Sequence, residues 1–500
     1  MENTTRTQPS RLDMPRPGVY NHPIPITSPE GGYNVFSSLD TVKPALQKLV
    51  SALSAHFSYA SVLAVEDSWR RWSVSRSGIS LSASGFGGGT GFVVRVFDGA
   101  GCAEYSFNEF CQEDIPCIVA VLTQRLATLG GFEPLPTPIP ADEPAQLKRS
   151  TACKVDPRDL GDEAILGQLR AIREKALAVD GRLLDASLGM AYRSCRKIFL
   201  SPHRDLDQTL TWTTCGLVML AARGQELKSS YRPFSALGGA EVLDQVGAAV
   251  PEVAAQTLEL LDSQPIPPGE YECVCDPDVT GMIVHEAFGH GVEMDMFVKD
   301  RALGKSYVGE YVASPLVTMH DGSAVEEAAT MFFDDEGVLT GDTVVIDKGV
   351  LKTGMCDALS AARLGVKPTG NGRRESYERK AYTRMTNTYF EPGTHSVEEM
   401  IASIQYGFLL QQPSSGMEDP KNWGIQCMVD VAREIKDGKL TGKIFSPIVL
   451  TGYVPDLLKS VSMMGRDMKL SGSGFCGKGY KEWVKVSDGG PYMKAKIRLG

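Results

Sequence analysis

The stretch GIQCMVDVAREIKDGKL, residues 424–440, alternates apolar and polar side chains and contains an Asp-Gly pair, which is typical of a tight turn between antiparallel strands. Similar short runs occur at residues 342–355, 443–454 and 492–500. Many short antiparallel strands with glycine turns indicate a closed or strongly curved sheet. We therefore predict a C-terminal β-rich, barrel-like domain over residues 265–500.

The first half of the chain has a different pattern. Five prolines in GGFEPLPTPIPADEP, residues 130–144, favour an extended, semi-rigid linker. Helical and alternating strand-like periods occur on both sides of it. The sequence thus predicts an α+β fold, in which N-terminal α/β subdomains with antiparallel sheets precede the barrel-like domain that carries the metal-site helix. The predicted boundaries are a polar N-terminal lead over 1–29, an N-terminal α+β domain over 30–140 and a middle α+β domain over 141–264.

Composition limits the classes of function. A formal net charge of −10 disfavours nucleic-acid binding, which needs a basic surface, so we expect no nucleic-acid partner. No apolar stretch has the length of a membrane span, and we expect no membrane association. Eleven cysteines, an odd number without framework spacing, indicate free thiols and a cytoplasmic location. The close pairs Cys273/Cys275 and Cys111/Cys117 are interpreted as ordinary thiols rather than metal sites.

The segment VHEAFGHGVEMD contains two of the seven histidines of the chain, His285 and His290, with Glu286 beside the first. Imidazoles and an adjacent carboxylate suit a hydrolytic zinc site, in which the glutamate acts as the base. An offset of five residues is about 140° around an ideal helix. The helix must therefore widen into a π-bulge or end there. We expect the glycines at 289 and 291 to give the backbone that freedom.

A catalytic zinc needs a third protein ligand and an open position. The candidates are Glu293, Asp295, His320 or a distant thiolate, of which Cys476 is the best, because it lies in the glycine-dense loop SGSGFCGKGY. A nearby lysine at 478 favours the thiolate form. Glu293 and Asp295 are better interpreted as acceptors that orient the histidines.

Three further residues are weak substrate-binding candidates. Arg373 and Arg374 in GNGRRESY, residues 370–377, would suit bidentate contact with a substrate carboxylate, or would pair internally with an acidic neighbour. His320 stands alone in a turn-like context and is kept as a substrate-side candidate only. The acidic run at 334–336 is interpreted as a solvated turn rather than a second metal site.

Several motifs in order resemble one known family. They are HEAFGHGVEMD (285–295), VGEYVASPLVTMHDG (308–322), FFDDEG (332–337), PTGNGRRESY (368–377), RMTNTYFEPG (384–393) and GRDMKL…FCGKG (465–479). Together they resemble the TldD/PmbA family, metalloproteases once described as modulators of DNA gyrase. The chain departs from the family pattern at 416–426 and 480–484.

The resemblance implies the TldD-like, catalytic kind of subunit. It makes His285, His290 and Cys476 the ligands of one Zn²⁺ per chain and Glu286 the base. It also implies an unfolded peptide as substrate and a dimer, formed with a motif-less TldE/PmbA-like subunit or with a second copy of this chain.

The predicted function is therefore that of a zinc-dependent metallopeptidase, which cleaves unfolded or flexible peptides by Glu-assisted attack of a zinc-bound water on the peptide carbonyl. A peptide would be held as an added strand at a sheet edge. Two alternatives stay open: a non-hydrolytic regulator or scaffold with a structural metal, and a zinc amidohydrolase acting on a small non-peptide substrate.

Overall fold

The computed structural model of the 500-residue chain describes residues 38–83, 85, 89–99, 101–128, 143–479 and 481–500. The predicted polar lead at 1–29 and residues 130–142 of the predicted linker lie outside these ranges. The helices of the described ranges are α1 Leu39–Ser54, α2 Ile115–Thr128, α3 Pro157–Leu160, α4 Asp162–Leu177, α5 Val242–Glu259, α6 Pro277–Met282, α7 Met294–Val298, α8 Ala358–Leu364, α9 Val397–Ala402 and α10 Val454–Lys459. Among these described segments, no helix is long and apolar enough to cross a membrane.

The strands of the first half are β1 Tyr59–Ser75, β2 Gly78–Ser82, β3 Gly89–Phe97, β4 Cys102–Phe107, β5 Ala145–Ser150, β6 Leu183–Leu200, β7 Arg204–Arg223 and β8 Glu226–Ala236. Those of the second half are β9 Gly269–Cys275, β10 Met319–Gly322, β11 Asp342–Asp347, β12 Val350–Leu351, β13 Gly372–Arg373, β14 Tyr382–Thr383, β15 Asn387–Phe390, β16 Tyr406–Asp419, β17 Gly424–Lys436, β18 Lys439–Phe445, β19 Ile448–Tyr453, β20 Met463–Ser471, β21 Phe475–Lys478, β22 Lys481–Lys485 and β23 Ser487–Leu499.

Strands β1 to β8 form one sheet in the order β4-β3-β1-β6-β7-β5, with β2 added to β1 and β8 added to β7. Most neighbours are antiparallel, and the long β6–β7 pair forms its centre. The amphipathic helices α1, α4 and α5 bury their apolar stripes against one face. The predicted N-terminal and middle domains thus share a single sheet, while their boundaries stay a prediction.

The second half closes into a barrel. β9 pairs in parallel with β16, and antiparallel pairs then follow from β16 to β17, β19, β23 and back to β9. The hairpin between β17 and β18 turns at Asp437 and Gly438, with φ of 49° and 74°, the left-handed geometry that the Asp-Gly pair predicts. The barrel-like domain and the α+β class are confirmed. Cys273 and Cys275 are fully buried within this domain's core.

The acidic run at 334–336 is buried between the two halves, so the predicted solvated turn is wrong. The preceding Phe333 packs into an apolar cluster of the first sheet and carries the acids with it. Cations of that sheet compensate the buried charge: Lys197 pairs with Asp335 and Arg95 with Glu336. The run therefore joins the barrel to the sheet.

Replacing Arg95 with methionine would leave Glu336 buried without its cation. Arg95 also bonds Glu104 at 2.7 Å. Because an uncompensated buried charge is costly, we expect Arg95→Met to lower the free energy of unfolding by about 3–5 kcal/mol. Thermal or urea unfolding measures this loss. Arg170→Ala, which removes an exposed ion pair with Glu163, is the control and should change stability by less than about 1 kcal/mol. Equal effects of both substitutions would contradict the buried linkage.

Candidate metal centre

The two histidines lie on a helix that changes its winding. After β9, the side chain of Asp276 accepts a hydrogen bond from the backbone N–H of Val279 and so caps α6. The helix continues as a π-helical turn over Ile283–Gly289 and ends in a short 3₁₀ turn. A π turn brings residues five apart to the same face. The rings of His285 and His290 accordingly lie 5.1 Å apart, centroid to centroid.

The neighbouring glycines provide room for close packing rather than unusual backbone angles. Gly289 has an ordinary helical φ of −58°. A Cβ there would lie 2.2 Å from Met385 Sδ, and one at Gly291 would lie 2.4 Å from Glu418 Oε1 and 2.6 Å from Trp423 Nε1. Glu418 also accepts a hydrogen bond from the backbone N–H of Gly291 at 2.8 Å. The two glycines are therefore needed because neighbouring side chains pack closely against them, and the expected need for backbone freedom is not what the structure shows.

The third donor comes from a distant hairpin. Cys476 lies on β21, and its Sγ is 3.2 Å from His290 Nε2. One donor atom each from His285, His290 and Cys476 falls within a mutual distance of 4.8 Å, and no other such group of three His, Cys, Asp or Glu side chains occurs in the described part of the chain. Two imidazoles and a thiolate are donors that suit zinc.

A second observation supports the fit of a metal. His285 is 3% exposed, and its Nδ1 has no hydrogen-bond partner. Burial raises the pKa of the Cys476 thiol, but the two imidazoles lower it more, to well below the usual range. Burial lowers the pKa of His285, but the thiolate raises it more, to about 9. The thiolate is the form in which cysteine binds a metal, and a metal cation would replace the protons of these side chains.

Glu286 lies beside the three donors without joining them. Its Oε2 is 3.8 Å from His290 Nε2. Burial raises the pKa of this carboxyl above its usual value, a shift that strengthens a carboxylate as a base. Together with His285, it lines a cleft of about 670 Å³.

The cleft has a strand edge as one wall. β16 pairs with β17 along its whole length, but β9 covers its other edge only over Gly407–Leu410. In the described residues no strand pairs with that second edge beyond Leu410, and residues 411–416 line the cleft. Gly416 lies directly against the Glu286 side chain. Glu286 and a strand edge without a strand partner among the described residues therefore face the same space.

Of the two carboxylates expected to orient the histidines, only Glu293 contacts one. Glu293 is 1% exposed and its Oε2 lies 3.3 Å from His290 Nδ1. Asp295 instead accepts from Lys478 Nζ at 2.6 Å and from Lys299 Nζ at 2.8 Å. Lys478 Nζ is also 3.1 Å from Glu293. Asp295 thus acts on the centre only through this lysine, which corrects its expected role.

The two arginines proposed for substrate binding are not on the cleft. Arg373 is buried and donates to the backbone oxygen of Met385. Arg374 is buried too, and donates to Glu104 Oε2 at 3.1 Å. Both side chains are used inside the protein because the acidic run between the halves draws this segment into the interface. Arg374 therefore pairs internally with an acid, as the alternative expected, whereas Arg373 pairs with a backbone oxygen.

His320 is also away from the cleft. Its Nδ1 lies 2.7 Å from Asp342 Oδ1, and its Nε2 lies 2.9 Å from Glu391 Oε1. The ring stacks on Tyr389 at 5.1 Å. Both nitrogens are occupied by carboxylates, so His320 is neither a third donor nor placed to touch a substrate in the cleft.

Residues 268–497 match the model of the PmbA/TldA metallopeptidase C-terminal domain. A "Metalloprotease" of Methanothermobacter thermautotrophicus is 30% identical over 326 residues, which cover 64% of this chain and 70% of that protein. The chain belongs to the PmbA/TldD metallopeptidase family. A "Zinc metalloprotease TldD homolog" of Saccharolobus solfataricus is 32% identical over 46% of this chain, a match that spans about half (52%) of that relative.

Solved structures share the fold of this PmbA/TldD chain. A protein of Thermotoga maritima, described as a modulator of a DNA gyrase, has a TM-score of 0.74 at 18% identity and covers 92% of this chain and 100% of its own. TldE of Thermococcus kodakarensis has a TM-score of 0.70, also at 18% identity, covering 91% and 100%. At this identity the similarity concerns the fold.

Sequence reasoning on this PmbA/TldD chain missed Arg384, which is fully buried and donates through Nε to Glu293 at 3.2 Å. It stands in the motif RMTNTYFEPG, but a single arginine there gives no spacing signal. Burial lowers the pKa of Arg384, while the charges of Glu293 and Cys476 raise it more, for a net rise. Glu418 was missed because a single glutamate likewise gives no spacing signal in the sequence.

Gly416 offers a direct test of the position of Glu286. A Cβ at Gly416 would lie 2.4 Å from Glu286 Cγ and 3.0 Å from its Cβ, so the carboxylate would have to move. Because displacement of a catalytic group by about 1 Å costs roughly 100-fold, we expect Gly416→Ala to reduce kcat by about that factor with metal content unchanged. Gly424→Ala on the neighbouring strand, where an added Cβ meets nothing within 4 Å, is the matched control. Full activity of the Gly416 variant would rule out this site for the base.

Proposed function

We propose that this chain is a zinc-dependent peptidase that cleaves unfolded or flexible peptides. One observation carries the proposal: two imidazoles and a thiolate meet beside a carboxylate, and His285 and Glu286 of this group line a cleft whose wall is a strand edge without a strand partner among the described residues. The family supports peptidase chemistry, and the name of the Saccharolobus relative supports zinc as the metal.

His285, His290 and Cys476 would hold one zinc ion per chain. Bound there, the ion would polarise the scissile carbonyl and lower the pKa of the attacking water toward about 7. Glu286 would take a proton from that water and deliver it to the leaving amine nitrogen. Glu293 would keep His290 oriented by accepting a hydrogen bond from Nδ1.

The substrate would bind as an added strand. Between Gln411 and Gly416, the second edge of β16 has backbone groups with no strand partner among the described residues. A peptide on this edge would be recognised through its main chain, which gives broad side-chain specificity. A folded protein has few extended segments to offer, so flexible chains are the preferred substrates.

Two further features support peptide hydrolysis over the alternatives. A structural zinc is closed by a fourth protein ligand, and the donor group of the described residues has three members. A small amide would not need a strand edge beside the base. A panel of casein, flexible peptides and small amides, with zinc measured in each preparation, compares these functions directly.

We also propose a cytoplasmic location and a dimer, with a motif-less TldE/PmbA-like subunit or with a second copy of this chain. The structural similarity to TldE supports a partner of related fold. Analytical ultracentrifugation of the chain alone, and of the chain mixed with such a subunit, would show which dimer forms.

Replacing Glu286 with glutamine preserves size and removes the base. We expect Glu286→Gln to keep its zinc and to lose about 10²- to 10⁴-fold in kcat on a flexible peptide. Zinc is measured by elemental analysis, and removal of the metal from the wild type by a chelator should abolish cleavage as well. Glu310→Gln, at an exposed position, is the control and should cleave like the wild type. A metal-loaded Glu286 variant with full activity would show that the assigned base is wrong.

Backbone recognition predicts a pattern in N-methylated substrates. Every second backbone N–H of an added strand points at the sheet edge. We expect single N-methyl groups to lower kcat/KM by about 10-fold or more at alternate positions around the scissile bond, since a lost hydrogen bond to a buried partner costs about 1–3 kcal/mol. The intervening positions serve as the control. A uniform effect, or none, would exclude strand addition.

A further inference from the structure

One buried arginine connects the two parts of the chain that supply the donors. Arg384 follows β14 and lies on neither the histidine helix nor the cysteine hairpin. Its Nε donates to Glu293 Oε1 at 3.2 Å, and Glu293 in turn contacts His290. Its Nη1 donates to the backbone oxygen of Glu482, on the strand that pairs with the Cys476 strand. A single guanidinium thus contacts both Glu293, which contacts His290, and the strand that pairs with the Cys476 strand.

The third nitrogen of this arginine is unused within the protein. Arg384 Nη2 is buried and has no hydrogen-bond partner. A buried arginine N–H without a hydrogen-bond partner is costly, so Nη2 needs an acceptor. Nε and Nη1 are already engaged, so Nη2 is the donor of this side chain that remains available.

Buried hydrogen bonds fix the position of Arg384. Its backbone N–H donates to the oxygen of Asn371 at 2.9 Å, and its own oxygen accepts from Asn371 Nδ2 at 3.0 Å. Asp321, which is fully buried, accepts from Asn371 Nδ2 at 2.7 Å, from the backbone N–H of Thr386 at 2.8 Å and from Thr388 Oγ1 at 2.7 Å. The segment on both sides of the arginine is therefore held rigidly, as a positioning residue requires.

We propose that Arg384 is a positioning residue of the metal centre, which fixes Glu293 behind His290 and, through the backbone oxygen of Glu482, fixes the hairpin that carries Cys476. The inference rests on the proposed zinc function but concerns metal binding, not cleavage. Outer contacts of this kind orient the side chains that would hold a metal. Lysine would preserve the charge, but it lacks the two separate nitrogens with which the guanidinium reaches Glu293 and the oxygen of Glu482.

Metal binding by the full-length protein tests the proposal. The variants are Arg384→Lys and Arg384→Gln, and the matched control is Arg373→Gln, which removes another buried arginine from the same region without touching a donor. In competition with a chelating dye, we expect the dissociation constant for Zn²⁺ to rise about 10- to 100-fold in both Arg384 variants and to change little in the control.

A spectroscopic readout separates the position of the Cys476 hairpin from general stability. With Co²⁺ as the probe, the thiolate-to-metal charge-transfer band should shift in the Arg384 variants, because the hairpin loses its contact with the arginine, and stay unchanged in Arg373→Gln. If the glutamine variant does not fold, the lysine variant carries the test, since it retains a cation beside Glu293. Unchanged band energy and Zn²⁺ affinity in a folded Arg384 variant overturn the proposal.

Failure of the proposed function gives a different result. A wild type that binds Zn²⁺ and shows the Co²⁺ band but cleaves no peptide refutes the peptidase, while the shifts in the Arg384 variants still support the positioning role. A wild type that binds neither metal overturns both.

Discussion

The centre depends on one distortion, the widening of a helix by a π turn. Two imidazoles five residues apart point in different directions on an α-helix, and only i→i+5 winding brings them to the same face. The backbone at 283–289 adopts that winding. π winding is unfavourable by itself, so surrounding contacts must hold it. Gly289 and Gly291 admit Met385, Glu418 and Trp423 to the turn at distances that any larger residue would block. The packing around the glycines is thus the condition for placing the second histidine.

The third donor depends on the other half of the chain. Phe475, next to Cys476, packs between Trp69 and Trp212 of the first sheet at centroid distances of 6.0 and 5.7 Å. The amino group of Lys485 lies over the Trp212 ring at 4.6 Å. The hairpin that presents the thiol is therefore held between sheet and barrel. The acidic run at 334–336 joins the same two halves through Lys197 and Arg95.

The sequence predicts much of the fold and part of the site, and there are physical reasons why it does not predict the rest. The Asp437-Gly438 hairpin, the α+β class and the π-bulge follow from local rules about turn residues and helical spacing, and these act within a few positions of the chain. The sequence could not show the roles of Arg374 and of the acidic run, because their partners Glu104 and Lys197 lie more than a hundred residues away. A charged residue is predicted to be exposed unless its counter-ion is known. Arg384 was missed for the same reason, since nothing near it in the chain hints at Glu293.

The buried carboxylates around the three donors differ in whether a lysine or arginine accompanies them. Two buried carboxylates near the centre each have fixed cations: Glu293 has Lys478 and Arg384, and Asp295 has Lys478 and Lys299. Glu286 has no lysine or arginine partner among the described residues and faces the cleft. Glu293 and Asp295 are thus neutralised, while Glu286 keeps a raised pKa and open access to a substrate. Burial raises the pKa of Glu418 and Asp488 as well, so the position of Glu286, 3.8 Å from His290 Nε2, distinguishes it from the other acids of the site.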